Sequence, residues 1–106
     1  MPTLKDVFGE LQEKFSNPTK MKGITDIFQF EFTGGETGNY YARFDDGVAT
    51  VHEGVADSPS ITVFMDAGDF KGMVAGRLNP AMAFMSGKLK VKGDLSLAKK
   101  LQSLMG

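Results

Sequence analysis

Residues 66–106 read DAGDFKGMVAGRLNPAMAFMSGKLKVKGDLSLAKKLQSLMG, and this stretch decides the fold, because each of its elements carries its own start and stop signal. Asp66 and Asp69 offer side-chain oxygens to cap a helix with Phe70, Met73 and Val74 on one face, and Gly76 suits the left-handed position after it. Asn79-Pro80 opens a second helix: asparagine caps, and proline fits the first helical position, where its N–H is not needed. Ser86-Gly87 closes it. Residues 88–92 alternate Lys, Leu, Lys, Val, Lys, which is the period of a strand with Leu89 and Val91 on one face and three ammonium groups on the other. Gly93-Asp94 then turns into a last helix, where Leu97, Leu101 and Leu104, with Ala98 and Met105, recur at three- and four-residue spacing while Lys99, Lys100, Gln102 and Ser103 point away.

Working back from Asp66, the period is two. Residues 60–65 predict a strand with Ile61, Val63 and Met65 on one side. Before it, Phe28, Phe30 and Phe32 alternate with Ile27, Gln29 and Glu31, and Tyr40, Ala42 and Phe44 with Tyr41 and Arg43, so one face is core and the other mostly wet. Gly34-Gly35-Glu36-Thr37-Gly38 superficially resembles a phosphate-cradling loop, but a strand follows where a phosphate site wants a helix N-terminus, so it is a hairpin turn. Asp45-Asp46-Gly47 is a second such turn before a strand from Val48 to His52. At the start, Thr3 and Asp6 form a capping box, and Leu4, Val7, Phe8, Leu11 and Phe15 line one side of a helix that ends at Asn17-Pro18. Gly9 inside it marks either a close helix contact or an accepted local weakness. The order is helix, three-stranded meander, strand, two helices, strand, helix, which is an α+β layer structure with helices on one face of a largely antiparallel sheet.

Composition narrows the function. A chain of 106 residues makes one domain, 1–106, that buries roughly two-thirds of its unfolded surface. With no cysteine there is no disulfide framework, thiolate metal site or cysteine nucleophile, and a reducing cytoplasm is the expected compartment. A net charge of −1 supplies no bulk attraction to phosphate backbones, so nucleic acid is not an expected partner. No apolar run is long enough to span a bilayer, no N-terminal targeting segment is evident, and the last residues are not a peroxisomal address.

The materials for catalysis are poor, and no enzyme activity, cofactor or metal is expected. The sole histidine, His52, stands in a strand without a Ser/Asp pattern beside it, and three or four zinc ligands cannot be gathered around it without leaning on carboxylates. No nucleophile motif, dinucleotide fingerprint or phosphate loop occurs. Seven methionines fit either gap-filling in the core or a surface that adapts to apolar ligands.

A longer signature favours the second reading. Asp69-Phe70, Gly76-Arg77-Leu78-Asn79-Pro80, Ala83 through Val91 and Gly93 through Gln102 closely resemble the C-terminal half of sterol carrier protein 2 (SCP2) domains. The resemblance implies a five-stranded SCP2-like plan enclosing an apolar tunnel between sheet and helices, and non-catalytic binding or transfer of a fatty acid, fatty acyl-CoA or sterol-like ligand. By position it places the tunnel wall at Phe70, Met73, Val74, Leu78, Met82, Phe84, Met85, Leu101 and Leu104. Two departures bear on the ligand: Ala81 stands where the family often has a glutamine that reaches a ligand's polar end, and the chain stops soon after its last helix. A fatty acid or acyl-CoA is therefore a safer expectation than a sterol. Lys88, Lys90 and Lys92 read as a solvated sheet face or as a weak anionic contact, to an acidic membrane surface or to acyl-CoA phosphates. The alternative function is a protein-interaction or accessory module of a larger enzyme system.

Overall fold

Thr3 Oγ1 accepts from the Asp6 N–H at 3.2 Å while Asp6 Oδ2 accepts from the Thr3 N–H at 3.1 Å, and this reciprocal cap starts helix α1, Leu4–Phe15. The computed structural model describes residues 2–16 and 19–105, with the side chain of Met105 excepted; the helix stop expected at Asn17-Pro18 lies outside the described residues. Three strands follow as a meander: β1 (Ile27–Thr33), β2 (Gly38–Asp45) and β3 (Val48–Glu53). The turn between β2 and β3 has Asp46 at φ 49° and Gly47 at φ 86°, the left-handed pair that matches the twist of a two-residue hairpin.

Strand β4 (Ile61–Asp66) then lies parallel to β1, with Phe28, Phe30 and Phe32 beside Ile61, Val63 and Met65. It runs into helix α2 (Ala67–Val74), and helix α3 (Pro80–Met85), strand β5 (Leu89–Gly93) and helix α4 (Leu95–Met105) complete the described chain. The strand order is β3-β2-β1-β4-β5, mixed but mostly antiparallel, with β1 and β4 the parallel pair. Strand β5 begins at Leu89, so Lys88 precedes it, while Lys90 and Lys92 pair with Phe64 and Thr62 on the face opposite the helices.

The phenylalanine face of β1 meets α1. Phe8 is the centre of an aromatic cluster, stacked on Tyr40 at 4.7 Å and on Phe70 at 5.4 Å and edge-on to Phe30 at 5.3 Å. Ile61, Val63, Met65, Met73, Leu97, Leu101 and Leu104 extend that core toward α4. The second face of β1 is less wet than its alternation predicts, because Gln29 is 1% exposed and is the one polar side chain buried among the described residues. Its carboxamide donates to the carbonyls of Tyr40 at 3.1 Å and Gly54 at 3.0 Å and accepts from the Ala56 N–H at 2.8 Å. The crossover from β3 to β4 thus runs over the sheet's second face, and Gln29 is its anchor.

Candidate functional site

The end of the molecule built by α2, α3, β5 and α4 is set by caps. Asp66 accepts from the Asp69 N–H at 3.0 Å and starts α2; Gly76 follows it at φ 81°. Asn79 Oδ1 accepts from the N–H groups of Ala81 at 2.9 Å and Met82 at 3.2 Å, and Pro80 takes the first helical position. Asp94 Oδ1 accepts from the Ser96 hydroxyl at 2.6 Å and from the Ser96 N–H at 3.0 Å where α4 starts, and these bonds, the hydroxyl's first, hold its carboxyl below the usual aspartate range.

Two apolar features meet here. Beneath the surface, Met73, Pro80, Leu89, Val91, Ala98, Leu101 and Gln102 enclose a void of only about 10 Å³. Directly outside it, Ala81, Phe84, Met85, Leu95, Ala98, Lys99 and Gln102 line an open groove of about 430 Å³ between α3 and α4. Ala98 and Gln102 border both, so the groove is the outer continuation of the void. The described residues enclose no tunnel.

The nine residues expected to line a tunnel are divided by the structure. Met73 and Leu101 border the void, Phe84 and Met85 line the groove, and Leu104 is buried in the core. Val74 and Leu78 are half-buried against that core, whereas Phe70 is fully buried in the aromatic cluster, 4.8 Å from Phe32 by ring centres. Helix α3 is the surprise: Met82 is 60% exposed, Phe84 43% and Met85 80%, because a six-residue helix turns only Pro80 and Ala83 inward. Gln102, expected to point away from the apolar stripe, is half-buried and borders both spaces; its position one residue after Leu101 was the available signal.

Elsewhere, a groove of about 250 Å³ between α1 and the edge of the sheet gathers Lys5, Gln12, His52 and Glu53 beside Phe8 and Gly9. His52 is exposed, stacks on Tyr41 at 5.0 Å and has Nε2 3.2 Å from Thr50 Oγ1. Among the described residues no cluster of three or more His, Asp or Glu side chains is placed to hold a metal ion, and no helix is long and apolar enough to cross a membrane.

A five-stranded mixed sheet with helices on one face and an apolar groove between its last two helices defines a helix-on-sheet binding domain. The chain belongs to the SCP-2 sterol transfer family, whose model matches residues 4–106. It is 40% identical over 95 residues to hydroxysteroid dehydrogenase-like protein 2 of Xenopus tropicalis, covering 89% of this chain and 23% of the relative. To the human protein of that name it is 34% identical over 103 residues, covering 96% and 24%. The chain thus spans about a quarter of the length of these relatives. Its backbone superposes on a solution structure of palmitated SCP2L2 from Aedes aegypti with a TM-score of 0.83 at 20% identity, covering 98% of this chain and 95% of the other.

Proposed function

We propose that this domain binds an apolar lipid, a fatty acid, fatty acyl-CoA or sterol-like molecule, between the sheet and helices α3 and α4, and carries it without transforming it. The observation that carries this reading is the continuity of void and groove across Ala98 and Gln102. A ligand site of ordinary size needs roughly 300 Å³ or more, and holding that much space empty would cost on the order of 7 kcal/mol at about 24 cal/mol per Å³. That rivals a small domain's whole stability, so the unliganded site closes to a void and the ligand opens it. Helix α3 is the element able to yield, since it buries only two side chains.

In the opened state Met73, Val74, Leu78, Leu101 and Leu104 form the inner wall, with Phe70 at its far end. Met82, Phe84 and Met85 form the mouth, where thioether side chains adapt to chains of different shape. Gln102 supplies a carboxamide for the ligand's polar end beside Ala81, where the sequence lacks one. The palmitate named for the Aedes aegypti neighbour supports a fatty acid as the ligand class. No metal or cofactor is needed for this activity, and the absence of cysteine from the sequence suits a cytoplasmic carrier.

A second reading has its own support. Because relatives at up to 40% identity are about four times longer than the matched region, the domain also fits an accessory module that serves a larger enzyme system. Native mass spectrometry and melting of delipidated protein, with fatty acids of increasing chain length, separate the two. The carrier reading predicts a one-to-one adduct and a rise in Tm with saturating ligand. No adduct and no shift at any chain length, with a stable dimer instead, would replace it with the module.

A further inference from the structure

The methionines of this chain fall into two sharply separated sets. Met21, Met65 and Met73 are buried in the core, none of them more than 3% exposed, whereas Met82 and Met85 stand among the most exposed apolar side chains of the described residues. Both exposed ones lie on α3, three residues apart, because that helix turns only Pro80 and Ala83 inward. Met85 lines the open groove with Phe84 and Leu95, while Met73 borders the closed void behind it. The chain has seven methionines and no cysteine. Its reversible side-chain oxidation chemistry therefore rests on thioethers, and α3 presents two of them to solvent at the mouth of the groove.

From this placement we infer that Met85, with Met82 one turn before it, is an oxidation site through which hydrogen peroxide turns off lipid loading. The inference rests on the lipid-binding reading of the groove. In the step itself a sulfur lone pair forms the S–O bond as the peroxide O–O bond breaks; the thioether is oxidised by two electrons to the sulfoxide, and the peroxide is reduced to water. A flexible apolar side chain becomes a polar one carrying a strong hydrogen-bond acceptor. Pressing it against an acyl chain would strip that oxygen of water without a replacement donor, so the modified mouth disfavours the ligand. The core is spared, since Met21, Met65 and Met73 are closed to the oxidant, and the fold outlasts the change at its surface. Exposure also permits the reverse step, in which a methionine sulfoxide reductase takes the oxygen off as water while two thiols become a disulfide. The division of the methionines thus separates those that hold the domain together from those that report an oxidant.

Wild type and the Met82→Leu/Met85→Leu double variant, in which leucine keeps the apolar volume but cannot be oxidised, are treated with hydrogen peroxide. Peptide mass spectrometry assigns each added oxygen, and palmitate affinity and the unliganded Tm are measured before and after treatment. Met82 and Met85 are expected to gain oxygen before Met21, Met65 and Met73. Wild type should then lose palmitate affinity by about tenfold or more, the effect of making one apolar side chain at the contact polar, with its unliganded Tm little changed. Reductases for the two sulfoxide epimers, with dithiothreitol, should restore the affinity. The double variant keeps Met1 and Met105 and should bind palmitate after treatment as it did before, whatever its starting affinity. Oxidation that reaches the buried methionines as fast, an equal loss in the double variant, or full affinity with Met82 and Met85 both oxidised would overturn the inference and leave the carrier reading standing. Untreated wild type that binds no palmitate would bring down the carrier reading, and this inference with it.

Discussion

The ammonium of Lys71 on α2 is bonded to the Glu36 carboxylate in the β1–β2 turn, and the second oxygen of that carboxylate accepts the Leu4 N–H of α1 at 2.9 Å. One surface side chain thus joins three elements around the edge of the aromatic cluster. The Lys71 bond, and after it the Leu4 bond, hold the Glu36 carboxyl below the usual glutamate range. A carboxyl with a lower pKa in the folded state than in the unfolded one contributes stability that is present above the unfolded value and lost as pH falls through the folded value. Glu36→Gln is therefore expected to lower the urea midpoint at neutral pH, with the gap to wild type closing as the solution is acidified below the ordinary glutamate range. A gap that is constant with pH would show that the charge does not matter.

Gln29 gives a second expectation. Replacing it with leucine keeps roughly the volume but removes the carboxamide's bonds to the Tyr40 and Gly54 carbonyls and leaves the buried Ala56 N–H without its acceptor. The cost should be about 1–3 kcal/mol by equilibrium unfolding, because buried polar groups without partners retain their desolvation penalty. The crossover between β3 and β4 should also exchange its amide hydrogens faster in the variant.

Glycines at positions 9 and 93 should respond in opposite directions. A Cβ on Gly9 meets nothing within 4 Å, so Gly9→Ala is expected to stabilise α1 by up to about 1 kcal/mol. This settles the choice between a close contact and a local weakness in favour of the latter. Gly93 sits at φ 113°, where a Cβ would stand 2.6 Å from the Ser60 carbonyl oxygen and 3.0 Å from Ile61 Cα, so Gly93→Ala must push backbone apart and lower Tm. Thermal melts of the two variants check both signs.

How legible these features were depends on how local their causes are. The caps at Thr3, Asp66, Asn79 and Asp94 act within four residues, and the helices start where the sequence places them. The phenylalanine alternation likewise places β1 on the core. Gln29 falls on the face its alternation marks as wet, yet it is buried, because a loop 25 to 27 residues away along the chain covers it, and period-two alternation reports a face without saying what lies on it. The exposure of Met82, Phe84 and Met85 escaped for a related reason. Apolar residues in a helix suggest core, but a helix as short as α3 has room to bury only one narrow edge. The parallel β1–β4 pairing needs the whole topology and has no signature in either strand.

In the proposed lipid site Leu101, which borders the void and is 3% exposed, walls the space that the lipid chain fills. Leu101→Ala should cost about 2–5 kcal/mol without ligand, since it enlarges a void inside a closed core. The decisive measurement is the Tm of wild type and Leu101→Ala with and without saturating palmitate. If the acyl chain occupies this space, palmitate raises Tm more in the variant than in wild type and recovers part of the loss. An equal loss in both conditions would make Leu101 ordinary core and would contradict a lipid site beneath α4.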